Sequence, residues 1–405
     1  MSEPLIVIGN GMAAARLVDE LARRALGRYA IAVIGEEPRL AYNRVLLSAL
    51  LADEVGFDDI ELRPARWWRD RGVTLRYGVR ATAVDAAARN VTLAGGTRLS
   101  FSKLVFATGS QPIKPDIPGM DLPGVLTFRD VDDVNAIAAA KAAGTRVVVI
   151  GGGLLGLEAA YGLAKAGARV TLLHLMDRLM ERQLDHRAAL MLQRAVEARA
   201  IAVRLQAQTT RIAGNGKVEG VELRDGTTIA ADAVVVAVGI RANAALARTA
   251  GLEVGRGIVV DDHLETNAAG VHAIGECAEH RGCCYGLVEP AYEQAQLLAR
   301  RLAGEGASYP GSVLATNLKV SGVNVFSAGD FLGATAEAEE IVLSDPAAGV
   351  YKKLVIAQGR LVGAVLFGDT ADGLWYLDLI RTGSPVARLR DDLVFGRALA
   401  TRTAA

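Results

Sequence analysis

A chain of 405 residues is long enough for roughly two or three domains, each with a core of its own. Its 45 basic residues balance 45 acidic ones, and no Lys/Arg run exceeds two residues. It therefore lacks the basic footprint of a nucleic-acid binder, and nucleic acid is not an expected partner. Three cysteines and five scattered histidines form neither a disulfide framework nor a spacing that would hold a metal, so no metal is expected.

The chain opens on an apolar run, Leu5 to Ile8, that breaks at Gly9 and continues through Gly11 and Ala14 into a helical pattern. That order is a buried parallel strand turning into a helix. Gly9 permits the tight turn, Gly11 lets a pyrophosphate reach the backbone, and Ala14 lets helix and strand pack closely. A turn without a ligand is the alternative for such a loop taken alone. The first strand starts too near the N-terminus for a signal peptide, and no apolar run is long enough to span a bilayer, so no membrane partner is expected and the cytoplasm is the expected location.

The second strand, Ala30 to Gly35, ends in Glu36 and Glu37, about twenty residues after Ala14, where an acid would hold an adenosine ribose. A solvated acidic turn is the alternative. Arg44 stands among apolar residues in Tyr42 to Ser48, a setting that calls for an anion, the cofactor pyrophosphate being the natural one. Strand-like stretches follow at Val73 to Tyr77, Asn90 to Leu93 and Lys103 to Phe106, the last ending in the small-residue turn Ala107-Thr108-Gly109-Ser110. Pro112, Pro115 and Pro118 then mark a linker.

The opening arrangement recurs: Arg146 to Ile150 leads into Gly151, Gly153 and Gly156 and another helical run. Two such loops imply two dinucleotides. The next strand, Arg169 to Leu173, is followed by His174, which by spacing occupies the place of a ribose acid. With no acid there and Arg178 nearby, a 2′-phosphate is tolerable, so NADH or NADPH stays open, while a simply packed imidazole is the favoured reading of His174. Ala233 to Val238 is a further strand. Val271 to Glu276 puts a carboxylate just beyond Gly275, suited to ribityl hydroxyls, and a helix runs from Ala291 to Leu302. From about Pro310 shorter strands appear, Leu314 to Val320, Tyr351 to Ala357 and Leu361 to Phe367, then a helix, Trp375 to Arg381.

The fold class expected is α/β: two Rossmann-like, three-layer nucleotide-binding domains with a smaller C-terminal α+β domain. The expected limits are 1–110 with 230–309 for the first, 111–229 for the second and 310–405 for the third.

The ordered set GxGxxA, Ala107-Thr108-Gly109, GxGxxG, Val238 to Arg241 and Ala273 to Glu276 resembles the pyridine nucleotide-dependent flavoprotein reductases of glutathione-reductase-like fold. Within them the chain is similar to the flavoprotein part of the bacterial NAD(P)H nitrite reductase large subunit and the electron-transfer subunit of assimilatory nitrate reductase. The stretches Val7 to Met12, Tyr42 to Ser48, Leu179 to Asp185, Gly275 to Gly282 and Tyr351 to Leu354 carry that likeness. The resemblance implies FAD against Gly9, Gly11, Met12, Ala13, Ala14, Glu36 or Glu37, Arg44, Thr108, Gly109, Gly275 and Glu276. It implies NADH or NADPH against Gly151, Gly153, Leu154, Leu155, Gly156 and His174.

Departures from the family pattern shape the expected activity. No redox cysteine lies between Tyr42 and Leu51, which rules out a flavin-to-disulfide relay. Ala49 stands where ferredoxin-reductase-type relatives carry a Lys, so the matching glutamate, Glu158, is expected to lack its partner. Glu158 is a candidate catalytic group near the flavin, with an ordinary surface residue as the alternative. No cysteine follows Cys284, so nitrite is not expected to be reduced unaided. The expected activity is an oxidoreductase passing electrons to a separate acceptor: nitrate or nitrite reductase, rubredoxin or ferredoxin. The rivals are an oxidase using oxygen or a quinone and a redox-sensing binding protein of the apoptosis-inducing-factor type. Adjacent Cys283 and Cys284 read as structural, since adjacent thiols form strained disulfides. The oligomeric state stays open.

Overall fold

The computed structural model describes residues 2–140, 143–320, 322–334 and 337–403. These form two compact units: one made of the chain up to Leu50, Val55–Ile113 and Ile240–Ser312, the other of Leu51–Glu54, Lys114–Gly239 and the chain from Val313 onward.

In the first unit the apolar run at the start is the strand Glu3–Ile8, the central strand of a five-stranded parallel sheet. Tyr29–Gly35 pairs on one side and Lys103–Phe106 on the other, with Thr74–Tyr77 and Val271–Ala273 at the two edges. Burial on both faces explains why Leu5, Val7, Val33 and Val105, all fully buried, read as continuous hydrophobic runs instead of alternating ones. The helices Met12–Arg24 and Val288–Leu302 pack on each other. A three-stranded antiparallel meander, Ala81–Asp85, Asn90–Leu93 and Arg98–Ser100, supplies a further layer.

The second unit repeats the plan. Arg146–Ile150 is central in a parallel sheet, flanked by Arg169–Leu173 and Ala233–Val236, with Ala202–Arg204 and Val125–Thr127 at the edges. Its meander is Thr209–Ala213, Gly220–Leu223 and Thr228–Ala230.

Two expected limits move. Ala233–Val236 is paired with Arg146–Ile150, so the second unit continues to Gly239 and does not stop at residue 229. The C-terminal segment also groups with the second unit. Its antiparallel sheet runs Ala315–Val320, Val323–Gly329, Arg360–Phe367, Val350–Ala357, Glu339–Asp345, and the helix Gly373–Thr382 covers a core that includes Phe326, Leu354, Leu366 and Tyr376. A buried hydrogen bond joins this sheet to the nucleotide fold, the Tyr351 hydroxyl donating to Asp185 at 2.6 Å. The strands Val323–Gly329 and Glu339–Asp345 were not among those the sequence pattern picked out.

Candidate functional site

In the first unit three stretches far apart in sequence converge on the start of one helix. Gly9 has φ +118°, and a Cβ there would lie 2.0 Å from the Ala107 carbonyl oxygen, so the turn and the strand end touch backbone to backbone. A Cβ on Gly275 would lie 3.1 Å from the Ala13 methyl, which puts the third stretch against the first turn of the same helix. The Gly275 N–H is fixed by buried Gln294, whose Oε1 accepts it at 2.7 Å. Ser110 Oγ donates to Glu276 at 2.8 Å, and Thr108 Oγ1 donates to the Asn243 carbonyl at 2.6 Å, so Gly109 and its neighbours are held from both sides.

Gly11 is the helix N-cap, with no side-chain cap, no acid in the first turn, and nothing within 4 Å of where its Cβ would stand. The first N–H groups and the positive end of the helix dipole therefore face open space, an arrangement suited to an anion. Asn10 keeps Oδ1 buried and unmatched among the described residues. A pyrophosphate-bearing cofactor fits this cradle. Cys277, beneath it, is fully buried, and burial pushes its thiol pKa up, so it stays a protonated thiol and not a nucleophile.

Glu36 and Glu37 separate. Glu36 is exposed and stands 3.7 Å from Arg80. Glu37 accepts from the Tyr42 hydroxyl at 2.7 Å and pairs with Arg44, whose guanidinium also lies over the Tyr42 ring. Arg44 thus has a carboxylate partner in this structure, and the anion its setting called for is in part Glu37.

The second unit reproduces the cradle. Gly151 has φ +123°, and its Cβ would lie 2.2 Å from the Ala237 carbonyl oxygen, as Gly9 does against Ala107. Gly153 is an open N-cap without a side-chain cap or first-turn acid. Leu154 and Leu155 form the first turn after it, and Gly156 lies close enough to the Gly151 carbonyl that a Cβ would stand 1.8 Å away. These are the contacts that the glycine spacing requires.

His174 is the packed residue that was the favoured reading, but its place by residue count, that of a ribose acid, shifts with the strand register. Strand pairing aligns Ile8 with Ile34 in the first unit and Ile150 with Leu173 in the second, so His174 matches Gly35, and the positions of Glu36 and Glu37 fall to Leu175 and Met176. Counting residues along the chain misses this because helix and turn lengths differ between the two units. His174 is buried, and a Cβ on Gly152 would lie 2.6 Å from its ring. The Gly152 N–H donates to Nδ1 at 3.0 Å, which leaves the ring proton on Nε2 to be donated to Glu181 at 3.0 Å. It is a packed histidine that braces the loop. Arg178 is likewise engaged, by Asp177 at 3.0 Å and the Leu184 carbonyl at 3.4 Å.

Glu158 lies half-buried on the helix Leu154–Lys165, and it is not without a partner. Cys283 is exposed, Cys284 partly buried, and neither is in a disulfide. Among the described residues no group of three or more His, Cys, Asp and Glu could hold a metal ion, and no helix is long and apolar enough to cross a membrane. Gln294 and Glu181 escaped the sequence reading. A glutamine at a buried position between Ala291, Ala295 and Leu298 breaks the apolar stripe of its helix, and that interruption was the available signal for Gln294.

The profile of the family described as pyridine nucleotide-disulphide oxidoreductase matches residues 3–297, and that of the rubredoxin NAD+ reductase C-terminal domain matches residues 315–384. The chain is 43% identical to the nitrite reductase [NAD(P)H] of Bacillus subtilis over 384 residues, 95% of this chain and 48% of that one. It is 39% identical to the assimilatory nitrate reductase electron transfer subunit of the same organism over 375 residues, 92% of this chain and 48% of that one. The chain thus spans about half the length of these relatives. Among solved structures it is similar to a ferredoxin reductase from Rhodopseudomonas palustris, with a TM-score of 0.89 and 26% identity over 100% of both chains. A flavin and a nicotinamide nucleotide are the cofactors that these matches imply. The chain belongs to the pyridine nucleotide-disulphide oxidoreductase family.

Proposed function

We propose that this chain is an FAD-dependent NAD(P)H reductase that delivers electrons to a separate carrier or reductase protein in nitrate or nitrite assimilation, in the cytoplasm. The observation that carries the reading is the duplicated cradle. Each unit presents an uncapped helix start behind a glycine turn that touches the end of the neighbouring strand.

In the first unit Gly9, Gly11, Met12, Ala13 and Ala14 would receive the FAD pyrophosphate. Glu36 or Glu37 would hold the adenosine ribose, and Glu276, steadied by Ser110, the ribityl chain. In the second, Gly151, Gly153, Leu154, Leu155 and Gly156 would receive NAD(P)H. When bound, the flavin supplies a hydride acceptor that releases electrons singly, and the nicotinamide supplies the hydride. The chain's own contribution is placement: rigid backbone turns fix where each phosphate sits, and the buried Gln294 and Thr108 bonds hold the loops that flank it. A protein acceptor is supported by the rubredoxin-reductase C-terminal match at 315–384 and by the name of the electron-transfer-subunit relative. Ferredoxin or rubredoxin is the alternative acceptor, favoured by the ferredoxin reductase structure.

The test is anaerobic rapid mixing of the purified yellow protein with NADH and, in parallel, NADPH. Rapid loss of the visible flavin band with at least one nucleotide is expected, followed by recovery on adding a one-electron protein acceptor. Bleaching too slow for metabolic flux with both nucleotides overturns the reading and leaves a sensor.

A further inference from the structure

The register of the second nucleotide fold leaves a gap in the site. A ribose acid is expected at the end of the second strand, yet the residues at that place are Leu175 and Met176, 61% and 46% exposed and unable to bond a hydroxyl. The nearby Asp177 is taken up by Arg178 at 3.0 Å and His186 at 3.4 Å.

A second carboxylate on this segment is Glu181, seven residues beyond His174 in the chain and brought back to it by a left-handed Met180 at φ +50°. Two bonds tie this return to the phosphate loop: the Met180 N–H donates to the Gly152 carbonyl at 3.0 Å, and the Gly152 N–H donates to His174 Nδ1. His174 then presents Nε2–H to Glu181 Oε2 at 3.0 Å. The Glu181 side chain is 24% exposed, so the carboxylate is oriented by the imidazole on one side and open to solvent on another.

We propose that Glu181 is the acid that accepts the adenosine ribose hydroxyls of the nicotinamide nucleotide, and that it selects NADH over NADPH. A carboxylate accepts from a 2′-hydroxyl and repels a 2′-phosphate, and Arg178, the cation that would reward the phosphate, is occupied by Asp177 and the Leu184 carbonyl. The inference rests on the reading that the Gly151–Gly156 loop holds NAD(P)H.

The experiment measures kcat and KM for flavin-dependent turnover of the full chain with NADH and with NADPH, in the wild type and in Glu181→Gln. The wild type is expected to prefer NADH. In the variant the ratio of kcat/KM for NADH to that for NADPH falls about tenfold or more, the scale of one lost charge-assisted contact, mainly through KM. A variant that loses both activities equally, or keeps the ratio within twofold, overturns the assignment, because a purely structural brace would affect both nucleotides alike. Should Glu181→Gln not fold, inhibition of the wild type by ADP and by 2′-phospho-ADP decides: at least tenfold weaker inhibition by the phosphorylated analogue is expected, and equal inhibition overturns the proposal. A wild type that turns over neither nucleotide refutes the underlying reading instead.

Discussion

Acidification tests the burial of His272. This residue lies on the edge strand Val271–Ala273 of the first sheet, 4% exposed, with both ring nitrogens buried and unmatched among the described residues. Burial pushes its pKa down from 6.5 to about 4, outweighing the opposite pull of Glu265, while Lys103 adds to the depression. The unfolded chain takes up a proton near pH 6.5 and the folded one only near pH 4, so the neutral form is the folded form. Stability is therefore complete above pH 6.5 and falls as the pH drops toward 4. Between pH 7.5 and pH 5 this one group removes about 2 kcal/mol, and roughly 3 kcal/mol by pH 4. The assay is urea unfolding of the wild type and His272→Leu at both pH values, followed by fluorescence of Trp67 and Trp68, which lie in the same unit. The difference in stability between the two proteins should shift by about 2 kcal/mol in favour of the variant at pH 5. An identical pH dependence in both proteins refutes the reasoning, since it means that His272 reaches water or a partner.

Three other expectations concern the cradle, the joint to the C-terminal sheet and the thiols. Gly151→Ala meets both a positive φ and a carbonyl 2.2 Å away. It should cost roughly 2–4 kcal/mol and abolish NAD(P)H-driven bleaching while the yellow colour persists; native melting with normal turnover would contradict the close approach. Tyr351→Phe leaves buried Asp185 without one of its donors and should lower stability by roughly 1.5–3 kcal/mol in urea titrations, and an unchanged midpoint counts against the bond. Iodoacetamide at neutral pH should label exposed Cys283 first and leave buried Cys277 untouched by mass spectrometry. The double variant Cys283→Ser with Cys284→Ser should turn over within about twofold of the wild type, as expected of residues with no redox part; a larger loss would give the pair a role.

Pairing of the two nucleotide folds also explains why their loops differ in detail. In the first unit Asn10 stands between the glycines and packs over Gly35, where a Cβ would lie 2.6 Å from the Asn10 Cβ. In the second the small residue and the large one change places, Gly152 lying under His174. Either exchange fills the same space between loop and second strand, because the strands are paired in the same register.

Much of this was written in the chain itself. Gly9 and Gly151 announce their turns because only glycine allows the turn to touch the neighbouring strand end backbone to backbone, and Leu5 to Ile8 and Arg146 to Ile150 announce buried parallel strands because both of their faces are covered. The sequence by itself thus determined two nucleotide folds and the stretches that form their cradles. Tertiary structure alone decided the rest. Whether Ala233–Val236 serves the first or the second sheet depends on pairing over more than eighty residues, which no local pattern encodes. That His174 aligns with Gly35, and that Glu181 returns to its side, follows from strand register and one left-handed residue, Met180. Arg44 finds Glu37 and Tyr351 finds Asp185 for the same reason: a side chain's partner is set by where folding brings the distant segment, and spacing along the chain carries no record of that distance.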